Sequence, residues 1–539
     1  MQTIIKLILT GAIAIGLAGC DSKTSGTSAS QGAFTQAQAD PNTLVCLSGS
    51  ELESVQPLLP QLKKETGVHV QLVSSGTLTS VEKLQTGANG YDCGWFSHNK
   101  YLMLDNTVKG LVVASERIMS SPVIIGVKAA KAKQLNWSVD NTTWADVAKA
   151  ANDGKFTFAM TSPASSNTGM SALIGVTAAL SGSDSAIDDK AIAKVELSGF
   201  GKGHVLYADS SGWLTTAFIK ELANPKGPDG IVNYESELLR LNAQNNANLT
   251  LIYPKEGIVT ADYPLMLFNP AKKAQYDKVI AFFKRDDIQK SLMSSTFRRP
   301  VSPTVTADPV LFGEHLLVEV AFPGKMSTID NLLMSYLDKQ RRPAHVYFVL
   351  DTSGSMGGNG GIQQLRKAIT GLTGGDQTLT GRFSQFRERE KITIIEFASQ
   401  IKAQSTYVVS TDAAQRTAVM GEIATYAQGM TAGGGTAIFD AVHAAYEMAR
   451  ASAKQEPGYV QSVVVMTDGQ SNEGMTDYDF AEYYSRLTSD DKSVRIFGVL
   501  FGSDASKAQL TALTRATGGD VFDGSQSLLG VFKKIRGYQ

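Results

Sequence analysis

Cysteine and histidine are scarce in this chain, three and six among 539 residues, and neither is grouped at a spacing that would hold zinc. No P-loop, paired-carboxylate signature or G-x-S-x-G elbow occurs. Charge of one sign is missing too. The formal net charge is −1 with 19% charged residues, so no basic excess marks nucleic acid or anionic lipid as a partner. There is no internal repeat or heptad run. Past the N-terminal segment, no apolar run reaches the about 20 residues that cross a bilayer. At 43% hydrophobic, what remains is the composition of an ordinary globular exported protein.

The stretch VYFVLDTSGSMGG, 346–358, is an apolar run that stops at Asp351 and hands over to a loop of serine and glycine. Asp351, Ser353 and Ser355 leave the strand end at alternate positions. One carboxylate and two hydroxyls make half a cage for a hard divalent cation such as Mg2+, which takes oxygen ligands and keeps part of its water. Further oxygens come from Thr436 in MTAGGGTAIFDAV, at a glycine-rich helix start, and from Asp468 in VVVMTDGQS, at the end of another apolar run. Each segment alone reads as a turn with capping side chains. Together they fall at strand ends and helix starts of one alternating pattern, where open α/β sheets converge their ligands.

That pattern is carried by HVYFVLD, KITIIEFAS, SVVVMTD and VRIFGVLFG from residue 345 onward. They are apolar on both faces, as parallel strands covered by helices are. Between them, TAIFDAVHAAYEMARASAK sets Ile438, Val442, Ala445 and Met448 or Ala449 on one helical face. With all three of its segments present, this region resembles the metal-ion-dependent adhesion site of von Willebrand factor A domains. The resemblance implies a Rossmann-like doubly wound domain over 344–539 that binds without catalysis. Ser353, Ser355 and Thr436 would coordinate Mg2+, or Ca2+ or Mn2+ in its place, with Asp351 and Asp468 acting directly or through water. An open sixth position would take a Glu or Asp carboxylate from a protein partner.

Three other features invite different readings. From Asp468, DGQSNEGMTDYD alternates oxygen-bearing side chains like a calcium loop, but Glu473 stands where an EF-hand needs its turning glycine. His345 and His443 have no pattern tying them to the loop serines as a triad, so both read as packing or helix-surface residues. The charged run RFSQFRERE, 382–390, reads as a solvated loop or hairpin.

At the other end, MQTIIKLILTGAIAIGLAGC carries Lys6, an apolar stretch and then Leu17-Ala18-Gly19-Cys20, the form of a secretion signal. LAGC resembles a bacterial lipobox, which implies a signal peptide at 1–19 and a lipidated Cys20. Several acyl chains on one cysteine hold a protein at a bilayer where a single chain does not. Asp21 resembles the signal that keeps lipoproteins on the outer face of the cytoplasmic membrane, facing the periplasm. In a single-membrane host the same anchor sets the chain at the cell surface. Residues 20–41 are small and polar, a flexible linker. Cys46 and Cys93 are left, an even pair in an exported chain. If their strands are neighbours the sulfurs meet in a disulfide, and otherwise they are two buried thiols.

Residues 42–300 open with TLVCLSGSELESVQPLLPQLKKETGVHVQLVSSGT, which reads strand, helix, strand. SPVIIGVK, a helix begun at Trp144, SSNTG, GIVNYESELL and IYPKEG follow. This region resembles bacterial solute-binding proteins of type 2, two α/β lobes joined by a hinge. Serine, threonine and glycine at helix starts turn N–H groups and hydroxyls into a cleft, a nest for a small anionic or carboxylate-bearing solute. By match to that family's cleft loops the candidates are Ser48, Ser50, Ser97, Ser165, Asn167, Thr168, Tyr234 and Tyr253. Capping accounts as well for Ser165 and Thr168, and Glu256 would repel an anion or read a cation. Residues 301–343 form a packed connector.

The whole resembles bacterial lipoproteins that fuse these two modules. It implies a membrane-tethered factor that captures a protein through the metal, with the lobed domain as sensor or scaffold. The alternative is a solute receptor for an ABC-type transporter with an accessory A domain. A metal-dependent hydrolase would need a general base, and the motif segments supply none beyond the ligands.

Overall fold

Strand Ala344–Asp351 is buried along its whole length. Its alternation sends Val346, Phe348 and Leu350 into one apolar cluster and Tyr347 and Val349 into another, as the two-residue period of a strand requires. The computed structural model describes residues 40–539 apart from 140, 183–184, 359, 502–503 and 526. In it this strand is central to a six-stranded sheet, in the order Ile401–Val408, Lys391–Phe397, Ala344–Asp351, Val460–Thr467, Arg495–Leu500, Val521–Asp523. All neighbours are parallel except the edge strand Ile401–Val408.

Helices Gly361–Thr370, Ala413–Gly429 and Leu528–Ile535 pack on one face of this sheet, and Ile438–Gln455, Asp477–Ser485 and Asp504–Ala516 on the other. This is the doubly wound form. Successive strands add on one side of Ala344–Asp351 and then on the other, so the order reverses at its carboxyl end, where such sheets gather ligands. Helix Ile438–Gln455 buries Ile438, Val442, Ala445 and Ala449 as the pattern requires, and Phe439 and Tyr446 besides. The four apolar runs did not include Ile401–Val408, because IKAQSTYV alternates half-buried and exposed residues at the sheet's edge.

Ahead of this domain stand two α/β lobes, the type 2 periplasmic-binding-protein form. The first has the strand order His69–Ser74, Thr43–Ser48, Cys93–Trp95, Pro264–Leu267, Ala114–Arg117. The second is built on the long strand Met119–Lys128, which pairs with Gly230–Tyr234 and Leu249–Ile252. Phe158–Thr161 and His204–Ala208 extend it. The chain crosses between lobes at 117–119 and 261–264. At the second crossing Tyr263 adopts φ 42°, a left-handed conformation that an aromatic residue rarely takes, and its carbonyl accepts from Trp95 Nε1 at 3.1 Å. Helix Asn167–Ser181 starts hard against a strand end: a Cβ on Gly169 would stand 2.3 Å from the Thr161 carbonyl oxygen, so only glycine fits there.

The connector helix Met326–Ser335 and the turn Tyr336–Gln340 lead into the C-terminal domain. Here the reading of 382–390 as solvated is corrected. Glu390 is buried and pairs with Arg341 of the connector and with Arg536, while Arg387 pairs with Asp338 at 2.7 Å. Burial pushes the Glu390 carboxyl up, but the Arg536 and Arg341 guanidiniums outweigh it and hold the group below the ordinary range. These charges could be buried because each finds its counter-charge. Among the described residues no helix is long and apolar enough to cross a membrane.

Candidate metal centre and interlobe cleft

Asp351 ends its strand fully buried, and both its oxygens are held by neighbours. Ser353 N donates to Oδ1 at 2.8 Å and Thr467 Oγ1 to Oδ2 at 2.6 Å. Ser353 Oγ lies 3.0 Å from Ser355 Oγ, which donates to Asp468 Oδ1 at 2.6 Å. The glycine-rich segment is tied to this loop by its backbone: Gly354 N donates to Gly434 O and Gly433 N to Thr352 O, both at 2.9 Å. Gly434 needs φ 92° to make that turn. Thr436 is positioned from behind, its N donating to Asn472 Oδ1 at 2.8 Å and its carbonyl accepting from Asn472 N at 2.9 Å. All three segments therefore meet at the carboxyl end of the central strands.

Burial pushes the Asp351 carboxyl up against the hydroxyls of Thr467 and Ser353, and the nearby Asp468 charge adds to the rise. Burial raises Asp468 as well. A cation stands one residue away: Lys402 Nζ donates to Thr352 O and Oγ1, both at 3.0 Å, and pairs with Glu396 at 4.0 Å. The three segments carry two carboxylates and three hydroxyls, the all-oxygen chemistry a hard divalent ion takes, and burial raises both carboxyls. The residues fit such an ion. Only two are acidic, so they form no group of three His, Cys, Asp or Glu ligands among the described residues.

Sequence reading missed the residues that hold this site in shape. Thr467 lies beside Asp351 because Leu350 pairs with Met466 in register, a relation that appears only once the strands are aligned. Ser399 Oγ accepts from Gly435 N at 2.7 Å, and Asp440 Oδ2 accepts from Met475 N at 2.8 Å. Thus the 471–475 segment clasps Thr436 and forms no calcium loop. His345 bridges Thr393 and Ser452 at 3.0 and 3.2 Å, its pKa lowered to about 4 by burial and by the Lys391 charge. His443 stands edge-on to Tyr483 at 4.4 Å.

In the interlobe cleft, Asn167 Nδ2 of the second lobe donates to Ser97 Oγ at 2.9 Å and to His98 O at 3.3 Å on the first. His98 Nε2 meets Ser171 Oγ at 3.1 Å, and Thr168 Oγ1 meets Ser211 Oγ at 2.7 Å. Tyr234 is buried beside Ser97 and Thr168, its phenol pushed well up by burial. Ser48 ends its strand and Ser50 opens the next helical segment. Ser165 and Tyr253 point elsewhere: Ser165 Oγ donates to Ser162 O and Asp209 O, and Tyr253 donates to Glu235, which Arg299 pairs. Glu256 accepts from Trp144 N and Ala145 N at 2.9 and 3.2 Å. It caps a helix start.

The cleft also holds charges that the loop motifs did not reveal. Arg298 stacks over Tyr263 at 4.6 Å and donates to Glu51 O at 2.7 Å. Burial raises the Glu51 carboxyl, with the Arg298 charge opposing and Glu237 adding to the rise. A bare anion entering here would meet the Glu51 carboxyl beside Arg298, and Glu237 already paired with Arg240. Asn167 Oδ1 is buried without a partner. Below the cleft, Cys46 and Cys93 are register partners on adjacent parallel strands and form a disulfide. Cys20 lies outside the described residues.

Residues 44–295 match the bacterial extracellular solute-binding protein family and residues 345–530 the von Willebrand factor type A domain family. A curated relative, inter-alpha-trypsin inhibitor heavy chain H4 of Sus scrofa, is 25% identical over 254 residues, 46% of this chain; the chain spans only 24% of that relative's length. Among solved structures, the periplasmic binding protein AfuA from Actinobacillus pleuropneumoniae aligns over 55% of this chain and 98% of its own, with 14% identity and a TM-score of 0.44. A von Willebrand factor type A protein from Catenulispora acidiphila covers 37% of this chain and 43% of its own, with 15% identity and a TM-score of 0.28. A match to an extracellular binding family sets the folded part outside the cytoplasm. The chain thus joins a region that matches the solute-binding family to a region that matches the von Willebrand factor type A family.

Proposed function

We propose that this chain is a binding protein of the cell envelope, tethered through lipid on Cys20, whose A domain captures a protein partner through a divalent ion. Asp351, Ser353, Ser355, Thr436 and Asp468 would hold the ion. The observation that supports this most is that hydrogen bonds gather Asp351, Ser353, Ser355 and Asp468 at the strand-order reversal, with the Thr436 segment tied by its backbone to the same loop. When bound, Mg2+, or Ca2+ or Mn2+ in its place, would neutralise that charge and offer an open position to a Glu or Asp carboxylate of the partner. The chain's own part is to fix the oxygens: Thr467 and the Ser353 amide orient Asp351, and Asn472 orients Thr436.

The test compares the full chain with Asp351→Ala in Mg2+ and in EDTA. Mg2+ raises the unfolding temperature of the natural protein, since anything that binds only the folded state stabilises it, and supports recovery of a membrane protein by affinity capture. Asp351→Ala keeps its circular dichroism spectrum and loses both effects. Equal recovery in Mg2+ and EDTA would sink the proposal.

For the lobes, the unpartnered Asn167 Oδ1 and the buried Glu51 favour a sensor for a small solute rich in hydrogen-bond donors over one for a simple anion. Thermal stabilisation by amine- or hydroxyl-rich solutes and not by simple carboxylates is the expected result.

A further inference from the structure

Both lobes of the solute-binding domain are gripped by one outside body. On the first lobe, Glu82 accepts from Thr380 N at 2.8 Å and from Thr380 Oγ1 at 2.7 Å, and Leu379 and Phe383 sink into the apolar core of the lobes. On the second lobe, Trp213 stands edge-on to Tyr538 at 4.5 Å, beneath the Arg495 guanidinium at 5.6 Å. These two footholds belong to the same domain and are braced against each other. Lys533, in the helix that leads to Tyr538, donates to Thr378 Oγ1 and Thr380 Oγ1 at 3.1 and 2.9 Å and pairs with Asp376.

The connector spans the same gap. Asp330 accepts from Tyr101 of the first lobe at 2.8 Å, Asn331 donates to Asp189 of the second at 3.2 Å, and Tyr336 meets His204 Nδ1 at 2.7 Å. Opening the lobes about the crossings at 117–119 and 261–264 carries one lobe away from the other, so it must break the Glu82 foothold or the Trp213 foothold. Meanwhile the cleft is closed on its own groups, Asn167 against Ser97 and His98 against Ser171.

From these contacts we infer that the A domain and connector are a latch holding the two lobes shut without solute, and that releasing the latch is what admits one. The inference does not depend on the metal reading. Hydrogen exchange of the full chain tests it. Trp213→Ala at one foothold, and Glu82→Ala with Thr380→Val at the other, each speed exchange at the facing amides of 95–98 and 166–170 by about ten-fold or more, as local opening frees them. Strand 344–351 keeps its protection in both variants and shows that the A domain stays folded; should Trp213→Ala lose it, the Glu82 and Thr380 pair decides. Faster exchange at 379–384 with unchanged exchange across the cleft would overturn the latch.

Discussion

The interlobe cleft and the rim of the A domain are built from the same materials, hydroxyls and carboxylates at strand ends and helix starts, and they dispose of them differently. In the cleft, protein partners meet most of the demand: Asn167 reaches Ser97, His98 reaches Ser171, and Arg298 stands beside Glu51. At the rim, hydroxyls orient Asp351 and Asp468, and burial raises both carboxyls. Closure of two lobes can supply countercharge from a facing surface. No second lobe closes over the rim, which leaves room there for a countercharge from outside the chain.

Acid should separate the two regions most. Burial, followed by nearby positive charge, lowers His98 to about 3, and burial lowers His204 to about 3 against two backbone carbonyls; His345 falls to about 4. A folded value below the unfolded one means stability present above the unfolded pKa and lost as pH falls toward the folded pKa. At pH 5 each neutral histidine therefore forfeits about 2 kcal/mol. Asp351 and Asp468 work the other way. Their folded values are raised, so the metal-free rim is most comfortable in acid and is strained as pH rises. Urea midpoints at pH 7 and pH 5 should fall steeply with acid, and hydrogen exchange should rise more at 95–98, in the lobes that hold His98 and His204, than at 353–356, in the domain that holds His345. Parallel loosening of both would break the comparison.

Reduction of the Cys46–Cys93 bridge comes next. It closes a long loop, and its loss should cost about 4 kcal/mol, confined to the first lobe. A calorimetric trace with dithiothreitol should show that lobe melting earlier while the Mg2+ response of the A domain is unchanged. The smallest effect sharpens the rim: Thr467→Val removes the hydroxyl that orients Asp351 and should weaken Mn2+ binding about ten-fold, read by titration calorimetry, with the fold intact.

Much of the rim was legible in the sequence because Asp351 and Asp468 each end an apolar run, and a run of that kind in an alternating α/β chain points to one end of a sheet. Thr436 was legible from its glycines. What escaped were relations between segments: Thr467 beside Asp351 by register, Asn472 clasping Thr436, and Glu390 buried between two arginines where alternating charge suggested solvent. In the cleft, Ser165 and Tyr253 sit at the right loops but turn away, and Glu51 gave no sign of its burial. Loop motifs fix where a side chain starts, whereas the neighbour that captures it comes from a distant stretch of chain.

The strands of the A domain begin beside the lobes, where Arg495 covers Trp213, and end at Asp351 and Thr467. Eight residues of strand span about 26 Å. A visitor at the far tip and a solute between the lobes would therefore never touch, and word between them would pass through the stiff staves of the sheet or along helix Gly361–Thr370, which leads from the Asp351 loop toward the Thr380 foothold.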